Sequence, residues 1–305
     1  MSQPKLPILK SVFAGYAFLA ANWQRVLMVG APYLLSAIGL VWLQSMMAPA
    51  AAVGPSATSG LLAFVLTLVN MVASIVFATA VLRLAVRNEF MGWNGMQLGA
   101  DEARIFVVNI LVAVLTVLVL LLGGLFALAF VSAMAAGIIE RANLSQEAVT
   151  ENIQLVFDQF SATDWAMVVL LGLGFVALML WLAARLSMAL PATIERRKVQ
   201  ILAVWPMSKG QSWRIALAIG LTGLPVLVVG MLAYEAVSSL LGVRLLELAH
   251  TVDSSVENSE MIVRMNEVAR LNGFLAIVTV PLFSGLYAFI YNGLKQVSPV
   301  GDAAS

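Results

Sequence analysis

Six long apolar stretches alternate with short polar segments along this chain, at about 26–47, 60–82, 105–139, 165–190, 214–241 and 271–291. Each is long enough to cross a hydrocarbon core as a helix, which takes about 20 apolar residues. The pattern predicts an all-α polytopic bundle of six transmembrane helices. The third stretch is apolar for roughly 50 Å at 1.5 Å per residue, longer than the roughly 30 Å core. Tilting, projection beyond the bilayer or a bend at Gly123-Gly124 would each accommodate it.

The polar segments have their own periodicity. Ile8, Leu9, Val12, Phe13, Tyr16 and Leu19 recur at helical spacing, interrupted by Lys5, Lys10 and Gly15, which predicts a short amphipathic interfacial helix over 7–22. Residues 48–59 read as an uncharged turn. Val149, Ile153, Val156, Phe157 and Phe160 share one face of an acidic segment over 145–160 that Ser145 can cap. A second acidic segment of helical character covers 243–270.

Composition supports this class. Hydrophobic residues make up 61% and charged residues 11% of the chain, against about 25% charged in a soluble domain. So little charge cannot cover a water-facing surface, so lipid is the expected solvent. Six spans and their connections fill residues 1–305 as a single integral-membrane domain. The absence of cysteine excludes disulfides and thiolate chemistry. Net charge is +1, and no basic segment is interleaved with stacking aromatics outside the spans, so nucleic acid is not an expected partner. Lys10 and Arg25 interrupt what would be the core of a secretory signal, and Ala48-Pro-Ala-Ala-Ala-Val-Gly follows too long a leader for cleavage. It reads as a loop after an uncleaved span.

Charge sign orients the bundle, because Lys and Arg resist translocation. With both termini inside, the inner set is Lys5, Lys10, Arg25, Arg83, Arg87, Arg104, Arg185, Arg196, Arg197, Lys198, Lys209, Arg214 and Lys295. Of 17 cations only Arg141, Arg244, Arg264 and Arg270 face out. Acidic residues lean outward, with Glu140, Glu147, Glu151, Asp158, Asp164, Glu247, Asp253, Glu257, Glu260 and Glu267 on that side.

Odd spans open alike: Trp23-Gln-Arg25-Val, Glu102-Ala-Arg104-Ile and Trp213-Arg214-Ile. Even spans close on Arg83, Arg185 and Lys295. The separations Arg104–Arg185 and Arg214–Lys295 are equal. Three helical hairpins follow, at about 7–83, 84–191 and 192–295. Interfacial anchoring by Trp and Arg explains the same pattern without triplication. The Pro-x-Asp/Glu-x-x-Lys/Arg signature of mitochondrial carriers is absent, which rejects that family.

Residues 185–215 carry a more specific signal: Arg185-Leu-Ser-Met-Ala-Leu-Pro191, then Ile-Glu-Arg-Arg, then Trp205-Pro-Met-Ser208-Lys209-Gly210-Gln-Ser-Trp213-Arg-Ile. This stretch resembles the membrane domains of bacterial glycerophosphoryl diester phosphodiesterases and the YciC-like inner-membrane proteins. Arg185, Pro191, Trp205, Ser208, Lys209, Gly210 and Trp213 fall on that family's Arg-Leu-x-x-x-x-Pro stretch and Trp-x-x-Thr/Ser-Lys/Arg-Gly-x-x-Trp box. Elsewhere the chain matches only in hydropathy. The resemblance implies a bacterial inner-membrane module without the catalytic barrel that some members carry.

Candidate chemistry is sparse. His250 is the only histidine, zinc needs three or four ligands, and a solvated residue is the expected reading. Glu247, Asp253 and Glu257 around it match no known calcium loop. No metal site, cofactor site or catalytic residue is assigned. Glu235, near the outer end of the fifth span, is either an intramembrane functional acid or a residue reaching interfacial water. Asn70 bridges helices or lines a cavity. Arg185 snorkels to headgroups, or pairs with Glu195 or a lipid phosphate. Arg83, Arg87, Arg185, Arg196, Arg197, Lys198, Lys209 and Arg214 form a candidate inner rim for anionic phospholipid headgroups, with topogenic charge as the simpler account. Trp93, Trp205 and Trp213 would form an aromatic belt at that level. The 15 methionines are scattered, as packing residues are.

These features point to a non-catalytic inner-membrane protein that interacts with lipid or serves as a subunit of an envelope complex. A secondary or lipid transporter is the alternative, from the repeat, Pro32 and Pro225 within spans, and the polar set Asn70, Glu235 and Arg185. A phosphodiester-related membrane enzyme is the third reading, for which no acid–base pair can be named.

Overall fold

The computed structural model describes residues 5–51, 57–92, 94–145, 149, 154–240 and 258–295. The described chain is helical and holds no extended strand. In order it forms α1 (Ile8–Ala51), α2 (Ala57–Arg87), α3 (Ala100–Arg141), α4 (Gln154–Asp158), α5 (Ala162–Leu186), α6 (Ala189–Arg196), a 3-10 turn (Leu202–Ser208), α7 (Ser212–Leu240) and α8 (Asn258–Lys295).

Among the described residues five helical stretches are long and apolar enough to cross a membrane: Phe64–Arg87, Ala100–Arg141, Ala162–Arg196, Ser212–Ala236 and Leu275–Lys295. They correspond to the second to sixth expected spans. The expected first span lies inside α1 and is not one of the five. Large aliphatic and aromatic side chains on these helices stand exposed, among them Leu121, Phe126 and Leu170, each more than 60% accessible. Such a surface is compatible with hydrocarbon and not with water. This is the make-up of a multi-pass membrane protein.

The packing centres on α1, which lies most extensively against α8 and also against α2 and α7. Two buried clusters follow one another along it. Val12, Ile215, Ile219, Leu286 and Ile290 belong to the first. Val26, Val29, Tyr33, Phe77 and Val81 belong to the second, with the rings of Tyr33 and Phe77 stacked. Small residues set the α1–α8 distance. A Cβ on Gly15 would lie 2.6 Å from the carbonyl oxygen of Leu282, and one on Gly285 would lie 2.6 Å from Cβ of Phe18. The missing side chains let the two backbones approach, the usual basis of close helix contact in membranes. Two tyrosines then pin α1 to its neighbours: Tyr16 donates to the Thr222 carbonyl at 3.0 Å and Tyr33 to the Gly273 carbonyl at 2.9 Å.

By contrast α3 and α5 pack thinly on each other. Gly123 sits against the Phe175 ring, and α3 passes through Gly123-Gly124 without interruption. The long helices pack unevenly: the first and last are the closest partners, and α3 and α5 are loosely joined.

Several local expectations change. The interfacial helix expected over 7–22 and the span expected from 26 are one helix, α1. Nothing in Ala20-Ala21-Asn22-Trp23-Gln24-Arg25 breaks a helix, and the Asn22 amide donates back to the Phe18 carbonyl. Arg83 does not end the second span, since α2 continues to Arg87. The fourth span breaks earlier than Leu190, at Ser187-Met188, and Pro191 lies in the first turn of α6, where its missing N–H costs no helical bond. The segment expected as an acidic insert over 145–160 contains α4, and its residues 146–148 and 150–153 lie outside the described residues. So do 52–56 in the expected uncharged turn and 241–257, which include His250, Glu247, Asp253 and Glu257. From Asn258 the expected second insert is already helix, continuous with the last span.

Candidate functional site

The cation-bearing ends of α2, α3, α5 and α8 meet around α6 and the 3-10 turn, which leads directly into α7. All eight cations of the expected rim lie at these ends or in the segment joining them. The structure divides them by what they touch.

Arg83 and Arg87 join α2 to α3, and Arg104 shares Asp101 with Arg87 within α3. Arg83 Nη2 lies 2.8 Å from Glu102 Oε1, and both side chains are 4% exposed or less. The pair approaches closely but off the N–H axis, so it is an ion pair more than a hydrogen bond. Arg83 Nη1 donates to Gln97. Glu102 also caps α3, because its Oε2 accepts from the Gly99 N–H at 2.9 Å. Arg87 and Arg104 both hold Asp101, at 3.1 and 2.6 Å, and Arg87 also reaches Glu89. The connecting loop turns on left-handed residues Asn88, Gly92, Asn94 and Gly95. At Gly95 any side chain would strike Phe90 and Val29.

Arg185 serves another purpose. Its guanidinium lies 5.3 Å from the ring centres of both Trp181 and Trp205, which meet edge to face. It donates to the Trp205 carbonyl at 3.1 Å and to Ser208 Oγ at 3.3 Å. Pairing with Glu195 does not occur, because Glu195 binds Lys295 from α8. Arg185 therefore fastens the Trp205–Ser208 turn to the end of α5. Ser208, Gln211 and Ser212 are buried, and Ser212 Oγ donates to the Ser208 carbonyl. Gln211 and Arg214 capture the start of the described chain: Gln211 Oε1 accepts from the Leu6 N–H, and Arg214 donates to the Leu6 carbonyl at 3.0 Å. The Trp-Pro-Met-Ser-Lys-Gly-Gln-Ser-Trp box thus ties α1, α5 and α7 together, a role its spacing alone did not announce.

What remains is an exposed group. Arg197, Lys198 and Lys209 stand in the open, Arg196 is half-buried, and none of the first three makes an ion pair with a described residue. Arg197 adopts the left-handed conformation, φ 54° and ψ 30°, where α6 ends. Exposed apolar side chains alternate with these cations: Val199, Leu202 (75% accessible) and Trp213. Of the expected aromatic belt, Trp213 is exposed, Trp205 is committed to Arg185, and Trp93 lies outside the described residues.

The two candidate intramembrane polar residues, Asn70 and Glu235, lie on α2 and α7. Asn70 Oδ1 accepts from Ser36 Oγ at 2.9 Å and so bridges α2 to α1. Glu235 is half-exposed in the last turns of α7, towards the opposite end of that helix from Arg214. A cleft of about 550 Å³ between α1 and α2 has apolar walls of Val29, Pro32, Leu68, Val72 and Leu98. Among the described residues no three His, Cys, Asp or Glu side chains converge as metal ligands would. No family model, curated protein or solved structure matches the chain.

Proposed function

We propose that this is a non-catalytic, six-span protein of a bacterial cytoplasmic membrane, with both termini inside and anionic phospholipid headgroups held at its cationic rim. The first span is the 26–47 portion of α1. The reading extends to service as a subunit of an envelope complex, for which the same rim would face the cytoplasm. One observation carries the lipid assignment: Arg197, Lys198 and Lys209 are exposed without an acidic partner among the described residues and alternate with exposed Val199, Leu202 and Trp213. Three exposed apolar side chains beside three exposed cations are more than the singly scattered apolar residues of a water-facing loop. At a headgroup layer the apolar side chains enter the acyl boundary, the indole sits at the interface, and the cations meet phosphate. The likeness of residues 185–215 to the YciC-like proteins supports a membrane module of this kind. Arg83, Arg87, Arg185 and Arg214 drop out as lipid contacts, since protein groups already occupy them.

The test is purification in mild detergent followed by lipid mass spectrometry. Phosphatidylglycerol and cardiolipin should be enriched over the source membrane. The triple variant Arg197→Gln, Lys198→Gln, Lys209→Gln should lose that enrichment, at about 1 kcal/mol per cation near an anionic surface. Co-purified lipid of bulk composition, with no stable protein partner, overturns the reading.

A further inference from the structure

We propose that a two-lobed cleft between α2, α3, α5, α6 and α8 binds a neutral acyl lipid, taking its ester or hydroxyl head on Asn109 and Tyr287 and its hydrocarbon along the apolar walls. The inference stands apart from the cationic rim and rests only on these helices being in a membrane.

The lobes have volumes of about 230 and 360 Å³, and Asn109, Leu190 and Tyr287 line both. Together they fall in the usual range of ligand pockets, roughly 300–1,000 Å³. The first lobe is otherwise walled by Leu82, Ile105, Val280 and Phe283, with Thr279 and Ser284 facing it. The second is walled by Val112, Met179, Leu182 and Leu186, with Thr116 and Ser187. No charged side chain lines either lobe, which argues against an ionised head within the cleft.

The polar side chains are the unusual feature. Asn109, Thr279, Ser284 and Tyr287 make no hydrogen bond to any described residue, although Ser284 is only 5% exposed. Thr116 and Ser187 turn their protons to Val112 and Ala184 carbonyls of their own helices and keep free lone pairs. Polar groups within an apolar stretch are costly when unmatched, so their collection around one cleft favours a ligand with matching atoms. Depth agrees. Asn109 is five residues beyond Arg104 on α3, about 7.5 Å, and Tyr287 is eight residues before Lys295 on α8, about 12 Å. Those positions lie just below the charged level, where the ester groups of a lipid sit. The 550 Å³ cleft between α1 and α2 has no such set of unpaired polar groups and reads as ordinary lipid-facing surface.

The experiment uses the full chain in phosphatidylcholine nanodiscs with two photoprobes: a diacylglycerol carrying a diazirine in one acyl chain, and a headless alkane carrying the same diazirine. Peptide mapping should find the diacylglycerol probe on Met179, Leu182 and Leu186, and unlabelled dioleoylglycerol should compete it away. The double variant Asn109→Leu, Tyr287→Phe should weaken this labelling about tenfold or more, the loss of one to two hydrogen bonds. Labelling of the lipid-facing Leu121 and Leu170 should stay unchanged. Ala183→Phe, which fills the second lobe and removes no hydrogen bond, should give the same loss. Arg197, Lys198 and Lys209 variants should leave it intact, so failure of the rim and failure of the cleft are distinguishable. Cleft labelling no stronger than at Leu121, equal labelling by the alkane, or indifference to both cleft variants overturns the proposal.

Discussion

Arg83 and Glu102 face each other across 2.8 Å at the junction of α2 and α3, and both are almost wholly buried. Removing one partner leaves a buried charge unmatched. Glu102→Gln or Arg83→Met should each destabilise the folded protein by about 3–5 kcal/mol, whereas the double variant Arg83→Met, Glu102→Leu should cost markedly less. Glu102→Leu adds the loss of the α3 cap, about 1 kcal/mol, which Glu102→Gln largely keeps. Thermal unfolding in detergent gives the comparison. A double variant whose cost equals the sum of the two single costs would show that the pair is not energetically coupled.

The α1–α8 crossing depends on two glycines. Gly15→Leu would push the added side chain into the Leu282 carbonyl, and Gly285→Leu would meet Phe18. The Leu282 carbonyl is backbone and Phe18 Cβ is fixed directly to it, so neither yields as the far end of a flexible side chain can, and each variant should cost at least the roughly 1–3 kcal/mol of ordinary overpacking. Gly124→Ala, with open space around it, should be neutral within about 0.5 kcal/mol. Melting temperatures of the three variants in one detergent test the contrast.

Much of this architecture was legible in the hydropathy pattern. Ala100–Arg141, Ala162–Leu186 and Ser212–Leu240 fall close to the stretches predicted from their apolar runs, because a lone segment in lipid can satisfy its backbone only as a helix. The continuity of α1 was not legible. Lys10 and Arg25 lower local hydropathy, yet charge alone does not break a helix, and long cations reach outward from one. The rim was half legible. Sequence position collected eight cations, but it could not show that Arg83 is buried against Glu102 or that Arg185 lies between Trp181 and Trp205. Trp181 was the missed partner. Its place four residues before Arg185 on one helix face was the available signal. Asn109 and Tyr287 carried no signal, since an isolated polar residue in a span has meaning only once its neighbours are known.

Arg185 and its two indoles make a further test. Lysine keeps the charge at position 185 but loses the planar fork that stacks on rings and donates twice. Arg185→Lys should therefore loosen the Trp205–Ser208 turn, with a cost of about 1–3 kcal/mol from the cation–π contacts and hydrogen bonds together. The expected readout is faster proteolysis within 198–210 and a change in tryptophan fluorescence. Unaltered cleavage in that segment would mean that Ser208 and Gln211 hold the turn without it.

The single long helix α1 can be distinguished from an interfacial helix hinged to a span by one distance. Phe13 and Leu35 are both exposed, at 67% and 69% accessibility, and suit spin labels. A continuous helix places their Cα atoms about 33 Å apart, at 1.5 Å per residue. A helix lying on the membrane and turning near residue 24 would bring them to roughly 25 Å or less, since two arms of about 16 Å would then meet at a right angle. Pulsed electron–electron double resonance on the Phe13→Cys, Leu35→Cys protein resolves this difference, and the chain's lack of native cysteine makes the labelling specific. A narrow distribution near the longer distance is the expected outcome. It would mean that Gly15, Tyr16 and Tyr33 hold one rigid rod against α7 and α8, from the Leu6 tether at Gln211 and Arg214 to the Gly273 carbonyl.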